Sequence, residues 1–504
     1  MSATPTSDLG SLSFDALAAE LPAPRPLDAA AVRAAIAAAG VPWLPVVIDD
    51  DPTGTQTVAG VPLVSRWTVD DLRWGMTQGA ACLFVLANTR SLDPDAARRR
   101  VTEILDAVEE ASRSEGVPYV VISRSDSTLR GHFPLETDVI NSQIESLTGV
   151  QVDGVIFCPA YVEARRLTLG GVHWAAAGEE MVPVAETPYA TDRTFAYGSS
   201  DLAGFVREKS GGEIDAEQIV PLPIDVVRGD PDELLRRLLA VEGGQVVLVD
   251  ALCDEDLRAV AIAAIEAEDA GKRFVYRTGP SFVRARAGLD VAPPLDVAAL
   301  HPRGERQGTE SGRPARAGTR RPARRRGLVV VGSHVPLTSR QLERLLADVP
   351  ATAIEVPVPE VLEPGARADA LASIADRATA ALADGHAVLY TSRTLAAAAD
   401  ADASLDLARQ VSAFLVELTA RVHAAAAPDF VVAKGGITSS DLATEALGIR
   451  RATVAGSMLP GLISVWRAQD GPAADTPYVV FPGNVGDDES LSYVVRQLEG
   501  ASRC

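Results

Sequence analysis

Basic charge is scarce in this chain of 504 residues: 47 lysines and arginines stand against 68 aspartates and glutamates, for a formal charge of -21 and a pI near 4.8. Lysine is nearly absent, with Lys209, Lys272 and Lys434 the whole complement. Nucleic acid and anionic membrane surfaces both select a basic face, so neither is expected as a partner. Cysteine is as rare. Cys82, Cys158, Cys253 and Cys504 show no C-x-x-C spacing, and the first three lie in or beside apolar runs. That pattern predicts reduced core residues of a cytoplasmic protein and excludes a disulfide framework. No apolar run approaches the ~20 residues of a membrane span, and the opening MSATPTSDLGSLSFDALAAEL lacks the basic and apolar regions of a signal peptide, so a soluble, unexported protein is expected. Both G-x-x-x-x-G-K-[ST] and G-x-G-x-x-G are missing, which excludes a P-loop and the usual dinucleotide fingerprint. No two of the six histidines have metal-ligand spacing, and no protein-held metal site is expected.

What is present is a chain too long for one core, rich in hydrophobic residues at 47%. Residues 1–43 are Ala- and Pro-rich and read as a short helical leader. From Leu44, apolar strand-like runs alternate with helical ones: LPVVIDD, ACLFVLAN before DPDAARRRVTEILDAVEEAS, YVVIS before a helix near Leu135 to Leu147, then VDGVIFCPAY, GQVVLVDAL and RFVYRTGP. This alternation predicts parallel βαβ units. Residues 301–326 interrupt it with nine arginines, two glutamates and almost no large apolar residue, the composition of a disordered linker. The alternation resumes at Gly327. The expected fold is α/β in two domains, 44–300 and 327–504, each a mainly parallel sheet with flanking helices, around an interdomain cleft.

Three strands of the first half end in polar punctuation. LPVVIDDDPTGTQTV places Asp49, Asp50 and Asp51 at one strand's end, ANTRSLD places Asn88 and Arg90 at another, and ISRSDSTLRGHFP places Arg124, Asp126, Ser127, Thr128 and Arg130 at a third. Crowded carboxylates repel unless they accept hydrogen bonds or meet cations, and the carboxyl ends of parallel strands are where α/β sheets bind ligands. A guanidinium fork suits a carboxylate or phosphate, and hydroxyl and carboxylate groups suit a polyol. Together they predict a pocket for a small hydroxylated anion, with Arg90 or Arg130 gripping its carboxylate.

The second half offers glycine loops between strands and helices: Gly332-Ser333 with Thr338 and Gln341 as a capping box, Gly435-Gly436 with Thr438 or Ser439 as N-cap, and Gly483-Asn484 with Asp487 or Asp488 as cap. Glycines let backbone N–H groups approach phosphate, and a helix N-terminus adds partial positive charge. Three such loops predict a site for a nucleotide's polyphosphate.

The motifs DDDPTGTQTV, ANTRSL, RSDSTLRGH, GSHVPLTSRQ, AKGGITSSDLA and PGNVGDDESL, in this order and spacing, resemble the four-carbon acid sugar kinase family from about Val46 to about Leu498. The resemblance implies an acid-sugar-binding N-terminal domain, a nucleotide-binding C-terminal domain, and ATP with Mg²⁺ as cofactors. It implies that Asp49, Asp50, Asn88, Arg90, Asp126, Ser127 and Arg130 face the sugar acid. Ser333, Gly435, Gly436, Ile437, Thr438, Gly483 and Asn484 would face ATP. Asp126 is the favoured base, with Asp49 as the other catalytic candidate. Ile437 stands where relatives often carry glutamate, and His334-Val335 where they often carry Cys-Ser. Small molecules are the expected partners, and a homodimer is left open. Two other readings compete: a haloacid-dehalogenase-like phosphatase using Asp49 and Asp51, and a non-catalytic sugar-acid sensor.

Overall fold

A computed structural model of the chain describes residues 21–300, 325–392, 401–474 and 476–500, with Phe14 and Ala18 before them. The linker expected over 301–326 lies outside the described residues except at its last two positions, and so does most of the stretch before Leu21. The chain divides into two compact units, Met1–Val291 and Ala292–Cys504.

The first unit is built on β1 (Leu44–Asp49), β2 (Val61–Val64), β3 (Leu83–Leu86), β4 (Tyr119–Arg124), β5 (Gly154–Cys158), β9 (Ile219–Leu222), β10 (Gln245–Val249) and β11 (Phe274–Thr278). They lie in the order β2-β3-β1-β4-β11-β5-β10-β9, and each neighbouring pair is parallel. Strands covered on both faces need apolar residues on both, which is why Val46-Val47-Ile48 and Leu83-Phe84-Val85-Leu86 are continuous buried runs and not alternating ones. The covering helices announce themselves locally. Pro94–Glu115 starts where the Asp93 carboxylate accepts the Ala96 N–H at 2.8 Å, buries Ala97, Val101, Ile104, Leu105, Val108 and Ala111 on one face, and stops at left-handed Gly116. Strand order reverses at β1, which has β3 on one side and β4 on the other, so the loops after these three strands border one crevice.

A separate antiparallel sheet of β6 (Arg166–Leu169), β7 (Val172–Ala177) and β8 (Glu180–Pro183) is inserted after β5. Simple strand–helix alternation does not foresee it. The described part of the expected leader belongs to the first unit: the helix Ala29–Ala38 buries Ala29 and Val32, Arg33 donates to the Gly288 carbonyl at 2.7 Å, and the Gly40 N–H meets Asp269 at 2.7 Å.

The second unit carries β12 (Gly327–Val331), β13 (Ala351–Val356), β14 (His386–Thr391), β15 (Phe430–Lys434), β16 (Arg451–Ser457), β17 (Ser464–Ala468) and β18 (Pro477–Phe481) in the order β13-β14-β12-β15-β18-β17-β16. Only β17 runs antiparallel to its neighbours. Order reverses at β12, between β14 and β15. The second unit begins at Ala292, ahead of the expected boundary at 300. Leu295, Val297 and Leu300 pack into its core, and the Leu295 N–H bonds the Ser457 carbonyl at 2.9 Å. Among the described residues, no helix is long and apolar enough to cross a membrane.

Candidate functional site

At the reversal in the first unit, register puts Asp49 beside Leu86 and Arg124, so the tails of β3, β1 and β4 emerge together. The deepest layer is ionic. Arg124 Nη1 donates to Asp49 Oδ1 at 2.9 Å and to Asp50 Oδ1 at 3.3 Å, with both carboxylates and the guanidinium almost wholly buried. Burial pushes Asp49 up to about 7 against the pull of Arg124. Among the described residues its Oδ2 has no hydrogen-bond partner, and it lies against the Pro52–Thr57 turn, where a Cβ on Gly54 would stand 2.1 Å from it. Glycine at 54 is therefore what lets the turn close over the carboxylate. Burial likewise raises Asp50, opposed by Arg90 and Arg124. For Asp51 burial is outweighed by Arg90 and Arg124, which hold it below the usual range while its Oδ1 accepts the Thr53 N–H at 2.8 Å. Beside this layer, Glu136 accepts from Thr89 Oγ1, Ser123 Oγ and Arg277 Nη1, tying a helix to β4, β11 and the loop after β3.

Above it lies a half-open layer. Arg90 clamps Asp50 through Nη2 at 2.6 Å and Nε at 3.2 Å. Asp126 Oδ2 accepts from Arg130 Nε at 2.6 Å and from Thr128 Oγ1. Burial would raise the Asp126 carboxyl, but Arg90, Arg130 and Arg166 drive it far below the usual carboxylate range. The Ser127 carbonyl can only accept, so His173 Nε2 carries the hydrogen that meets it at 2.8 Å; burial pushes this histidine down to about 4, keeping it neutral. Asn88, Leu129 and Arg165 adopt left-handed backbone at φ 50°, 65° and 50°, each within two residues of Arg90, Arg130 or Arg166. Such conformations are costly for side-chain-bearing residues and persist where surrounding structure imposes them.

The sequence-derived residues Asp49, Asp50, Asn88, Arg90, Asp126, Ser127 and Arg130 thus share one edge of one sheet. Arg166, Arg277, Glu136 and Tyr189 were missing from that set. Arg166 enters from the inserted sheet, donating to Ser127 Oγ at 2.8 Å, and its only sequence mark is a doubled arginine before an alternating run. Arg277 and Glu136 sit inside a strand and a helix, where nothing in the spacing distinguishes them.

In the second unit the three glycine loops touch one another. A Cβ on Gly332 would stand 2.2 Å from Thr438 Oγ1, and one on Gly483 would stand 2.7 Å from Ser333 Oγ. Thr338 Oγ1 donates to the Gly483 carbonyl at 3.0 Å. The Lys434 carbonyl accepts both the Gly332 and Ser333 N–H groups, at 3.1 and 3.3 Å, and Gly435, at φ 130°, bonds the Phe481 carbonyl at 2.9 Å. Ile437 and Asn484 are exposed at the rim. The expected caps differ. The helix Pro336–Asp348 starts one turn earlier than a Thr338–Gln341 box requires, because Pro336 fits the first helical position; Thr338 and Gln341 instead reach across to the carbonyls of Gly483, Val485 and Asp487. Gly435, not Thr438 or Ser439, precedes the helix Gly436–Asp441, and Ser439 bonds back to the carbonyls of Ala433 and Gly435. Glu489, not Asp487 or Asp488, is the N-cap position of the helix Ser490–Glu499, and no side chain caps it; Asp487 accepts from the Glu489 N–H at 3.1 Å and Ser490 Oγ at 2.7 Å in the preceding turn, while Asp488 pairs with Arg340.

Residues 45–286 match a family model described as a sugar-binding N-terminal domain, and residues 328–491 match one described as a nucleotide-binding C-terminal domain. A D-threonate kinase of Salmonella typhimurium LT2 is 28% identical over 353 residues, 69% of this chain and 71% of that protein. Two solved structures share the fold. One, a Salmonella typhimurium LT2 protein bearing the provisional name of a tRNA synthase, has a TM-score of 0.62 at 17% identity and covers 90% of this chain and 99% of its own. The other, from Haemophilus influenzae, has a TM-score of 0.56 at 16% identity and covers 90% of this chain and 100% of its own.

Proposed function

This chain belongs to the four-carbon acid sugar kinase family, and from that premise we propose that it transfers the γ-phosphoryl group of ATP to the terminal hydroxyl of a four-carbon acid sugar: threonate, erythronate or 3-oxo-tetronate. The observation that carries the reading is a pairing of two unlike ligand edges, each at a reversal of strand order: an arginine and carboxylate network in the first unit, and three touching glycine loops in the second.

Phosphoryl transfer asks for positioning and charge neutralisation more than for covalent help from the protein. Asp126, kept ionised by its arginines, orients the attacking hydroxyl and receives its proton late, as a weak base can when the transition state is loose. Asp49, packed under Gly54, acts from below by holding Arg124. The same burial weighs against the phosphatase reading, which needs the first aspartate open to attack a substrate; Asp49 is 1% exposed. Backbone N–H groups of the glycine loops other than those of Gly332, Ser333 and Gly435, which the Lys434 and Phe481 carbonyls already occupy, take the phosphates together with the side chains of Ser333, Thr438 and Asn484. Mg²⁺ enters as the counter-ion of ATP, held mainly by phosphate and water. Asp487, the acid nearest in sequence to the Gly483-Asn484 loop along with Asp488, is already engaged by the Glu489 N–H and Ser490 Oγ.

An ATP-consumption screen over threonate, erythronate and 3-oxo-tetronate stereoisomers tests the proposal, with wild type, Asp126→Asn and Asp49→Asn. Turnover with one acid, strongly reduced in Asp126→Asn, is expected. Absence of ATP turnover with every acid would remove it, and ATP-independent phosphate release lost in Asp49→Asn would favour the phosphatase.

A further inference from the structure

The three half-exposed arginines of the acid-sugar edge differ in what already occupies them. Arg90 spends Nε and Nη2 on Asp50 and has Nη1 3.4 Å from Asp51. Arg130 spends Nε on Asp126, has Nη1 3.6 Å from Asp192, and lies over the Tyr189 ring at 5.2 Å. Arg166 has neutral partners: Nη1 donates to Ser127 Oγ at 2.8 Å and Nη2 to Tyr189 OH at 3.5 Å. Among the described residues its nearest carboxylate oxygen, Asp126 Oδ1, is 3.9 Å away, beyond a hydrogen bond. A guanidinium has five donors, so Arg166 keeps both charge and donors for a ligand.

Its setting is built. The guanidinium stands 5.8 Å from the Tyr161 ring and 5.2 Å from the Tyr189 ring, which orient its plane. Its backbone is locked by reciprocal bonds with Tyr161 at 2.8 and 3.0 Å, just after left-handed Arg165. The side chain is 16% exposed, against 4% for Arg124 and 3% for Arg277. It is shielded enough for a strong charged hydrogen bond and open enough to be reached.

We propose that Arg166, not Arg90 or Arg130, takes the carboxylate of the substrate and so sets the preference for an acid over a neutral polyol. The assignment rests on the acid-sugar reading above. Arg90 and Arg130 then shape the pocket by holding Asp50 and Asp126 toward the substrate's hydroxyl groups, and the carboxylate lies on the side of the inserted sheet.

The test is calorimetric binding to the full chain, without ATP, of the four-carbon acids and of the matching tetritols, which lack only the acid function. Wild type should prefer acid to tetritol. Arg166→Gln should lower that preference, read as the ratio of acid to tetritol affinity, ~10- to 100-fold, the weight of a charged hydrogen bond. Arg166→Lys, which keeps the charge without the fork and guards against a folding defect, should recover part of it. Preference intact in Arg166→Gln but lost in Arg90→Gln or Arg130→Gln overturns the assignment. If wild type binds no four-carbon acid, the acid-sugar reading itself has failed, which is a different outcome from an acid that binds wild type and Arg166→Gln alike.

Discussion

The two ligand edges solve opposite electrostatic problems with opposite materials. At the acid-sugar edge, Asp49, Asp50, Asp51, Asp126, Asp192 and Glu136 interleave with Arg90, Arg124, Arg130 and Arg277, so dense charge of both signs is buried and paired within the protein. At the nucleotide edge the loops are glycine, serine and threonine joined through backbone carbonyls, with one buried cation, Lys434, beneath them. A small acid with several hydroxyl groups has to be distinguished from many similar molecules, and rigid charged groups on fixed strands do that. A polyphosphate offers many equivalent oxygens, and backbone N–H groups that carry no side chain can approach them closely. The cost also differs. Dense buried charge is stable only while every partner is present, whereas a glycine loop loses little when one contact goes.

Arg124→Met tests that difference most severely. Arg124 is the cation shared by Asp49 and Asp50, and removing it leaves two adjacent buried carboxylates short of a partner. Urea unfolding at pH 7.5 should show a loss of ~3–5 kcal/mol in the transition of the first unit. The sign with pH follows from Asp49: its native pKa is raised, so its favourable contribution is full below the unfolded value of ~3.9 and fades as pH rises through about 7. The Arg124→Met defect should accordingly shrink toward pH 5, where Asp49 is protonated. A loss under ~1 kcal/mol would show that the edge does not depend on its internal pairing.

Gly54→Ala and Gly483→Ala make a smaller, matched comparison. The new Cβ at 54 would stand 2.1 to 2.5 Å from three atoms of the Asp49 carboxylate, which Arg124 prevents from moving. At 483 it would meet Ser333 Oγ at 2.7 Å, on a half-buried side chain that can rotate. Expected costs are ~1–3 kcal/mol for the first and under ~1 kcal/mol for the second, read by thermal unfolding of each unit. Equal effects would mean that the glycine loops are as tightly determined as the charged edge.

The same contrast explains what was legible in the sequence. Apolar runs that end in DDDPTG, NTRS, SRSDS, GSH, KGG and PGN mark strand ends, and parallel topology gathers strand ends, so residues from three separate stretches could be placed on one edge without coordinates. Arg166, Arg277 and Glu136 could not. Each reaches the edge from an element whose own pattern is ordinary, and only the inserted sheet's docking or the register of β11 against β4 brings it in. The capping box at Thr338 misled because its hydroxyl bonds Gly483, 145 residues away, and local patterns cannot report a distant competitor. The domain boundary misled for a similar reason: 292–300 looks like a tail of the first half until Leu295, Val297 and Leu300 find a core in the second.

Lys434 gives the finest test, because the same kind of substitution should have the opposite sign there. Its Nζ donates to the Pro482 carbonyl at 2.6 Å and stands 3.9 Å from the centre of the Phe481 ring, and among the described residues no carboxylate pairs with it. Burial pushes its pKa down to about 7. Between that value and the ~10.4 of an unfolded lysine the unfolded chain binds more protons, so the buried amine weakens the fold most at and below pH 7 and ceases to do so above about 10. Lys434→Met should therefore stabilise the second unit at pH 6, by on the order of 1 kcal/mol once the lost Pro482 bond and ring contact are set against the removed charge. The gain should vanish or reverse by pH 10. Phosphates arriving on the loops would favour the charged amine, so ATP binding at pH 8 should take up a proton in wild type and not in Lys434→Met, seen as a binding enthalpy that varies with the ionisation enthalpy of the buffer. A variant less stable than wild type at pH 6, or equal proton uptake in both proteins, would show that the nucleotide edge, like the acid-sugar edge, depends on its buried charge.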